Sequence, residues 1–358
     1  MEILWSILIF ALGLGVLYVG AEGTIHGAVG IARRLGISSL LIGLTLIAYG
    51  TSAPELAIDV TAALRGKTDL AFGDLIGSNI SNLGLILGIA VVIRPILLDT
   101  ALVRFEIPLL VAQALFVWLL CWDGELSRFD GAVLLAMFLA TACWTIYRGL
   151  REKQEFRKEV VQLTRDIAAQ DPWVGLVASD EKSESEVLAQ SRITQENAKP
   201  DHPGHESARS VPINMAMVLF GLFGLIVGAQ MMVYGAVNIA QKLGVSELTI
   251  GLTIVAVGTS LPELATAILA SRKRESDIVI GNVAGSNLFN LGGILGIVAL
   301  IYPIHVHERT LRFELPMLIA FSAFLLPVAF TGREVGRRIG WIYLIAFLSF
   351  LGYQAFGT

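Results

Sequence analysis

Charged residues are scarce. Asp, Glu, Lys and Arg make up 16 % of the 358 residues, against 55 % hydrophobic ones, well under the quarter or so carried by an average soluble domain. That shortage excludes an ordinary globular surface. A basic excess is also missing: the formal net charge is −4, which leaves no electrostatic footprint for nucleic acid. Cysteine is nearly absent, and Cys121 and Cys143 have no metal-type spacing, so both read as inert lipid- or core-facing side chains. The histidines of HPGH at 202–205 and HVH at 305–307 are too short and isolated as motifs to be metal sites and read as exposed loop residues. HExxH does not occur, and AFGD around Asp74 lacks the first glycine of GxGD, so the two commonest marks of an intramembrane protease are missing. No basic stretch precedes the first apolar run. Glu2 stands there instead, so the run reads as a transmembrane helix and not as a cleaved signal peptide.

Long apolar runs are what the chain does have. Stretches of roughly 20 apolar residues recur, each enough to cross a hydrocarbon core as a helix. They are too long for strands, rich in Leu, Ala and Gly, and do not alternate, which makes a strand reading weak. The expected fold is an all-α polytopic membrane protein. Helices are expected near 3–32, 38–66, 70–93, 101–121 and 129–148, and again near 212–241, 246–273, 278–301, 309–330 and 338–356. Between the two sets, residues 149–210 are polar. Phe156, Val160, Leu163 and Ile167 recur there at helical spacing, as in an amphipathic surface helix, and from about 178 to 210 the composition reads as disordered.

A constant offset of 208 aligns the two sets. LGISSLLIGLTLIAYGTSAPELA from Leu35 lies on LGVSELTIGLTIVAVGTSLPELA from Leu243, and from Gly36 onward 15 of 25 positions are identical. Gly77, Ser78, Asn79 and Asn82 fall on Gly285, Ser286, Asn287 and Asn290, and Pro95 falls on Pro303. The chain therefore divides into a first repeat at 1–148, a loop at 149–210 and a second repeat at 211–358. Five helices per repeat is an odd number, so the second repeat enters the membrane inverted, an arrangement common among secondary transporters. Arg33, Arg34, Arg94, Arg148, Arg151, Lys153, Arg272, Lys273, Arg274, Arg333, Arg337 and Arg338 share one face when both termini lie outside, against chiefly Arg65, Lys67, Arg128, Lys242 and Arg309 on the other, which places the central loop in the cytoplasm of a multi-pass cell-membrane protein.

GTSAPE at 50–55 and GTSLPE at 258–263 carry the chemistry. Pro54 has no N–H for the carbonyl of Gly50, and its ring opens the turn around Thr51. In hydrocarbon such carbonyls are tolerated only where protein, water or an ion satisfies them. Thr51 and Ser52 place hydroxyls beside them and Glu55 adds a carboxylate. An acid at mid-bilayer costs about 3 kcal/mol and marks a functional site by default. Glu55 and Glu263, facing each other across a pseudo-twofold axis, suit a divalent cation. Carboxylates, hydroxyls, amides and carbonyls are hard donors matched to Ca²⁺; nothing supplies the Cys or His that Zn²⁺ prefers, and Mg²⁺ keeps its waters in a tighter octahedron. Ser78 and Asn82 lie on one helical face, mirrored by Ser286 and Asn290, and are placed to complete monovalent sites beside the acids. Na⁺ and Ca²⁺ sharing two glutamates is the logic of an exchanger.

GTSAPE with GSNISN, and GTSLPE with GSNLFN, resemble the two α-repeats of the sodium/calcium exchanger family within the cation/calcium antiporter superfamily. The resemblance implies a ten-helix alternating-access antiporter whose second, third, seventh and eighth helices form the ion site. It implies that Glu55, Glu263 and the carbonyls of Thr51 and Thr259 bind Ca²⁺. It also implies that Ser52, Ser260, Ser78, Ser286 and the carbonyls of Ala48 and Ala256 serve flanking Na⁺ sites, that Asn82 and Asn290 line the centre, and that the first and sixth helices slide against the rest. Na⁺ and Ca²⁺ are then transported ions, with no cofactor, no enzymatic activity, and no obligate protein partner implied. Some relatives, including potassium-dependent ones, carry Asp where this chain has Asn290, and a loop of about 60 residues is too short for the large calcium-sensing domains of eukaryotic exchangers. The alternatives are a proton-coupled or K⁺-dependent antiporter, with a cation channel ranking below. GTSxPE in place of the GNxxEH of the proton-coupled branch favours Na⁺.

The remaining polar residues carry weaker expectations. Asp59 and Asp74, whose repeat mates are Ala267 and Asn282, line an outer vestibule or sit at the interface. Arg104 with Glu106, and Arg312 with Glu314, are expected as interfacial anchors or salt bridges. Gly73 with Gly77, Gly84 with Gly88 and Gly292 with Gly296 have the spacing of close helix packing.

Overall fold

A backbone in hydrocarbon has to satisfy its own polar groups, and in this molecule helices do so almost throughout. The computed structural model describes residues 2–97, 103–170, 210–243, 256–331 and 334–356. The first half contains α1 (Glu2–Leu35), α2 (Ser39–Thr51), α3 (Ala53–Leu64), α4 (Thr68–Ile93), α5 (Val103–Leu120) and α6 (Arg128–Gln170). The second contains α7 (Val211–Lys242), α8 (Ala256–Thr259), α9 (Leu261–Arg272), α10 (Ser276–Ile301), α11 (Leu315–Ala323), α12 (Leu326–Thr331) and α13 (Arg337–Phe356). Among the described residues six helices are long and apolar enough to cross a membrane, and α2 with α3, bent by 46° at Ser52, makes a seventh.

Two features depart from the regular helices expected. Wider π-helical turns interrupt α2 at Gly43–Ile47, α4 at Asn82–Leu87 and α10 at Phe289–Ile294, and one precedes α11 at Thr310–Glu314. Such turns carry an extra residue and recur at functional positions. The other departure is α6, which runs unbroken to Gln170, so the amphipathic stretch continues the fifth helix instead of forming a separate one. The side chains of Phe156, Val160, Leu163 and Ile167, the expected disorder from 178 to 209, His202 and His205, and the expected start of a helix at 246 lie outside the described residues.

α1 and α7 pack antiparallel through glycines spaced by seven. A Cβ at Gly13 would come within 2.9 Å of the Gly228 carbonyl, at Gly20 within 2.6 Å of Leu225 N, and at Gly27 within 2.5 Å of the Asn214 carbonyl. From the other side, a Cβ at Gly221 or Gly228 would strike the carbonyls of Gly20 (2.7 Å) and Gly13 (2.8 Å). Gly221, Gly228 and Gly235 are the repeat mates of Gly13, Gly20 and Gly27, so the contacts are reciprocal. Only residues without a Cβ let two backbones approach so closely.

Inside this pair the two halves interleave. α10 lies on α2, where a Cβ at Gly285 would come within 2.4 Å of the Leu44 carbonyl; the end of α10 packs on α6, and the end of α4 on α13. Two short antiparallel bridges tie the halves again: β1 (Ile96–Leu97) with β4 (Glu334–Val335), and β2 (Glu125–Leu126) with β3 (Ile304–His305). Asn79, which with Ile80 and Ser81 matches the pattern of a glycosylation sequon, is fully buried in α4.

Several expectations need correction. Glu106 is not an interfacial anchor: it is buried and accepts a hydrogen bond from Thr145 Oγ1 at 2.6 Å. Arg312 pairs with Glu308 at 2.7 Å, one helical turn before it, while Glu314 accepts from Thr310 and Gln354. Gly84, Gly88, Gly292 and Gly296 are closely packed, as their spacing implies, and for Gly73 and Gly77 no described residue comes within 4 Å of a would-be Cβ. Cys121 is buried and Cys143 exposed, both as free thiols, and His307 is exposed, 3.3 Å from Asp69.

Candidate ion-binding site

The site is built where two helices fail in the same way. Ser52 leaves helical geometry at φ −85°, ψ 7°, and its mate Ser260 does so at φ −87°, ψ 5°. Each serine is followed by a new helix with proline in its first turn, where a missing N–H is harmless. Glu55 and Glu263 fall in those first turns. The unsatisfied N–H groups and the dipole of a helix start favour an anion there, so the break that opens the carbonyls also steadies the carboxylates.

The two breaks meet. Ser52 Oγ donates to Glu263 Oε1 at 2.9 Å across the halves, and the Glu263 carboxylate is close enough to act electrostatically on Glu55. Thr51 Oγ1 lies 3.2 Å from both the Ala48 carbonyl and Asn282 Oδ1. Ser286 Oγ donates to the Ala48 carbonyl at 3.4 Å, and Asn290 Nδ2 donates to Ser78 Oγ at 3.1 Å. Thr259 and Ser260 are buried at the end of α8, the short helix that begins at Ala256. Of the polar side chains expected in the site, none is more than 9 % exposed. The break glycines lie against α7, Gly50 at Leu222 and Gly258 at Val233, so the cluster sits between the α1–α7 pair and α10.

Buried polar atoms are ordinarily hydrogen-bonded. Glu55 Oε2, Glu263 Oε2, Ser260 Oγ, Asn82 Oδ1 and Asn290 Oδ1 have no such partner. All five are oxygens, the donor type that a hard cation takes. Among the described residues no group of three or more His, Cys, Asp or Glu side chains is gathered closely enough to hold a metal.

Sequence reasoning missed the amides behind these ligands. Asn82 Nδ2 donates to Asn287 Oδ1 at 2.9 Å, Asn287 Nδ2 donates to the Asn79 carbonyl at 3.2 Å, and Asn282 receives the Thr51 hydroxyl. These bonds turn the Asn82 carbonyl oxygen away from Asn287 and leave it unpartnered. The available signal was the third letter of the duplicated GSN: Asn79 and Asn287 are repeat mates, and they touch.

The family model described as "Sodium/calcium exchanger protein" matches residues 5–147 and 213–356, leaving out the central loop. The inner membrane protein YrbG of Escherichia coli is 32 % identical over 95 % of this chain and 93 % of its own. The sodium/calcium exchanger MaX1 of Methanosarcina acetivorans is 30 % identical over 97 % of both chains. Among solved structures, the sodium-calcium exchanger NCX_Mj soaked with Na⁺ and Sr²⁺ superposes with a TM-score of 0.75 at 28 % identity, covering 97 % of each chain. With its family model, full-length relatives and fold in agreement, the chain belongs to the sodium/calcium exchanger family.

Proposed function

We propose that this chain exchanges Na⁺ for Ca²⁺ across a membrane as a secondary active antiporter, with Glu55 and Glu263 as the charged ligands that both ions share. One observation carries the reading: two carboxylates from separate halves, each at the start of a broken helix, come together in a buried cluster whose unpartnered atoms are all oxygens. Ca²⁺ takes both glutamates with the carbonyls of Thr51 and Thr259. Na⁺ takes Ser52, Ser78 and the Ala48 carbonyl on one side and Ser260, Ser286 and the Ala256 carbonyl on the other, with Asn82 and Asn290 at the centre. Several Na⁺ ions compensate the same two charges as one Ca²⁺, so the ions compete and the site alternates between loads.

The architecture we assign is ten spans in two inverted repeats, residues 1–148 and 211–358, joined by a cytoplasmic segment at 149–210, with both termini outside. The 208-residue offset, the reciprocal glycine contacts of α1 with α7, and the paired breaks support it. Access alternates as the α1–α7 pair moves over the broken helices. The ions are cargo, not cofactors, and the family is one of exchangers, not enzymes.

The test is flux. Vesicles containing the purified protein are loaded with Na⁺ and diluted into ⁴⁵Ca²⁺. Uptake is expected only while an outward Na⁺ gradient exists. Uptake that ignores Na⁺ and follows a pH gradient would replace Na⁺ coupling by proton coupling.

A further inference from the structure

Two more acids stand beside the site, and the other half has no acidic counterpart for either. Asp59 lies one turn beyond Glu55 on the buried face of α3, and Asp74 one turn before Ser78 on α4. Their repeat mates, Ala267 and Asn282, are neutral. α3 ends and α4 begins at the 65–67 connection, and the two helices pack against each other. Asp59 comes six residues before Arg65 and Asp74 seven after Lys67. The two acids are therefore at the same level, four residues or about 6 Å along the axis from Glu55 and Ser78, toward the connection.

Asp59 is fully buried, and neither of its carboxylate oxygens has a hydrogen-bond partner; Asp74 Oδ2 lacks one too. The Asp74 carboxylate acts electrostatically on Asp59, and Asp59 on Glu55. No lysine, arginine or histidine is ion-paired with Asp59 or Asp74 among the described residues. A buried carboxylate with neither a hydrogen bond nor a counter-charge is strongly unfavourable, and this one faces a second carboxylate.

We infer that Asp59 and Asp74 form a second cation subsite, one turn from the central glutamates on the side of the 65–67 connection. Ca²⁺ is the cation assigned to it, because the subsite adjoins Glu55, the ligand of the transported Ca²⁺, and carboxylates are hard oxygen donors. The subsite gathers the ion on the face of the 65–67 connection and hands it to Glu55. With Ala267 and Asn282 at the equivalent positions, the opposite face has no such collector, so the exchanger is asymmetric in how it captures Ca²⁺. This rests on the exchanger reading of Glu55 and Glu263.

Asp59→Asn, Asp74→Asn and the double variant test it, in vesicles sorted by orientation. Asp74→Asn installs the residue that its own repeat mate carries, so it tests the subsite even where Asp59→Asn does not insert. The Ca²⁺ concentration for half-maximal exchange is expected to rise about tenfold, the lower end of focusing by a charged cleft, on one face only, with the maximal rate kept. Calorimetry of the purified protein with Ca²⁺ is expected to lose a binding event in the double variant and to keep that event in Glu55→Gln/Glu263→Gln. An equal change on both faces, no change on either, or an undiminished number of binding events in the double variant would overturn the subsite. A wild type with the extra binding event but no Na⁺-driven uptake would sink the exchanger reading and leave the subsite standing.

Discussion

At the scale of single residues, the proposed site rests on two carboxylates and on the neutral groups packed around them. Replacing either Glu55 or Glu263 by Gln is expected to abolish Na⁺-driven Ca²⁺ uptake while the protein still inserts. On the proposed reading both acids serve one ion, so their effects are not additive, and the double variant should be no worse than either single one in the same flux assay. Ser52→Ala removes the hydroxyl that donates to Glu263 at 2.9 Å. A net hydrogen bond of about 1 kcal/mol predicts roughly a fivefold weaker half-saturation for Ca²⁺ with the maximal rate retained, read from the concentration dependence of uptake. The acids and hydroxyls were legible in the sequence because an acid in an apolar run has few explanations and this one occurs twice. The amides Asn79, Asn282 and Asn287 were not. An asparagine in a helix serves packing or function equally well, and only the fold reveals which carbonyl it meets.

At the scale of elements, the helix breaks were legible and the π turns were not. A proline inside an apolar run specifies a break wherever it stands, whereas the π turns at Asn82–Leu87 and Phe289–Ile294 depend on neighbours packed against glycine-rich backbone from the other half. The length of α6 was missed for a related reason, since the polar stretch after Arg148 read as a new element when it is the same helix leaving the apolar zone. The turn between α3 and α4 offers a test of backbone conformation. Gly66 closes α3 at φ 71°, and its repeat mate Arg274 closes α9 at φ 70°. Left-handed geometry is free for glycine but unfavourable by about 1 kcal/mol or more for a residue with a Cβ. Gly66→Ala is therefore expected to destabilise the protein by about 1 kcal/mol, measured as a lower midpoint of thermal unfolding in detergent, with exchange unaffected in the folded fraction.

For the molecule as a whole, the division into two halves is a fact of sequence more than of packing. α1 has its main contacts with α7, α2 with α10, α4 with α13 and α6 with α10, so each half is completed by the other. Halves expressed as separate chains, cut between residues 171 and 209, are expected to copurify and to restore exchange, while either half alone is expected to be degraded or aggregated; the readout is affinity capture through a tag on one half. The close approach of α1 and α7 leads to a further expectation. Gly20→Val would drive a Cβ into the backbone at Leu225, which should reduce stability by about 1–3 kcal/mol and, with the α1–α7 pair as the proposed mobile element, slow exchange at unchanged Ca²⁺ half-saturation.

The reciprocity of those glycines reaches beyond the single chain. Gly13 faces the mate of Gly20, and Gly20 faces the mate of Gly13, the mark of an isologous contact. A surface of that kind is complementary to itself. A gene encoding only one half, if its product inserted in both orientations, would supply every copy with an upside-down partner carrying the same rungs, and the ion site would then consist of two identical GTSxPE turns contributed by two molecules instead of one.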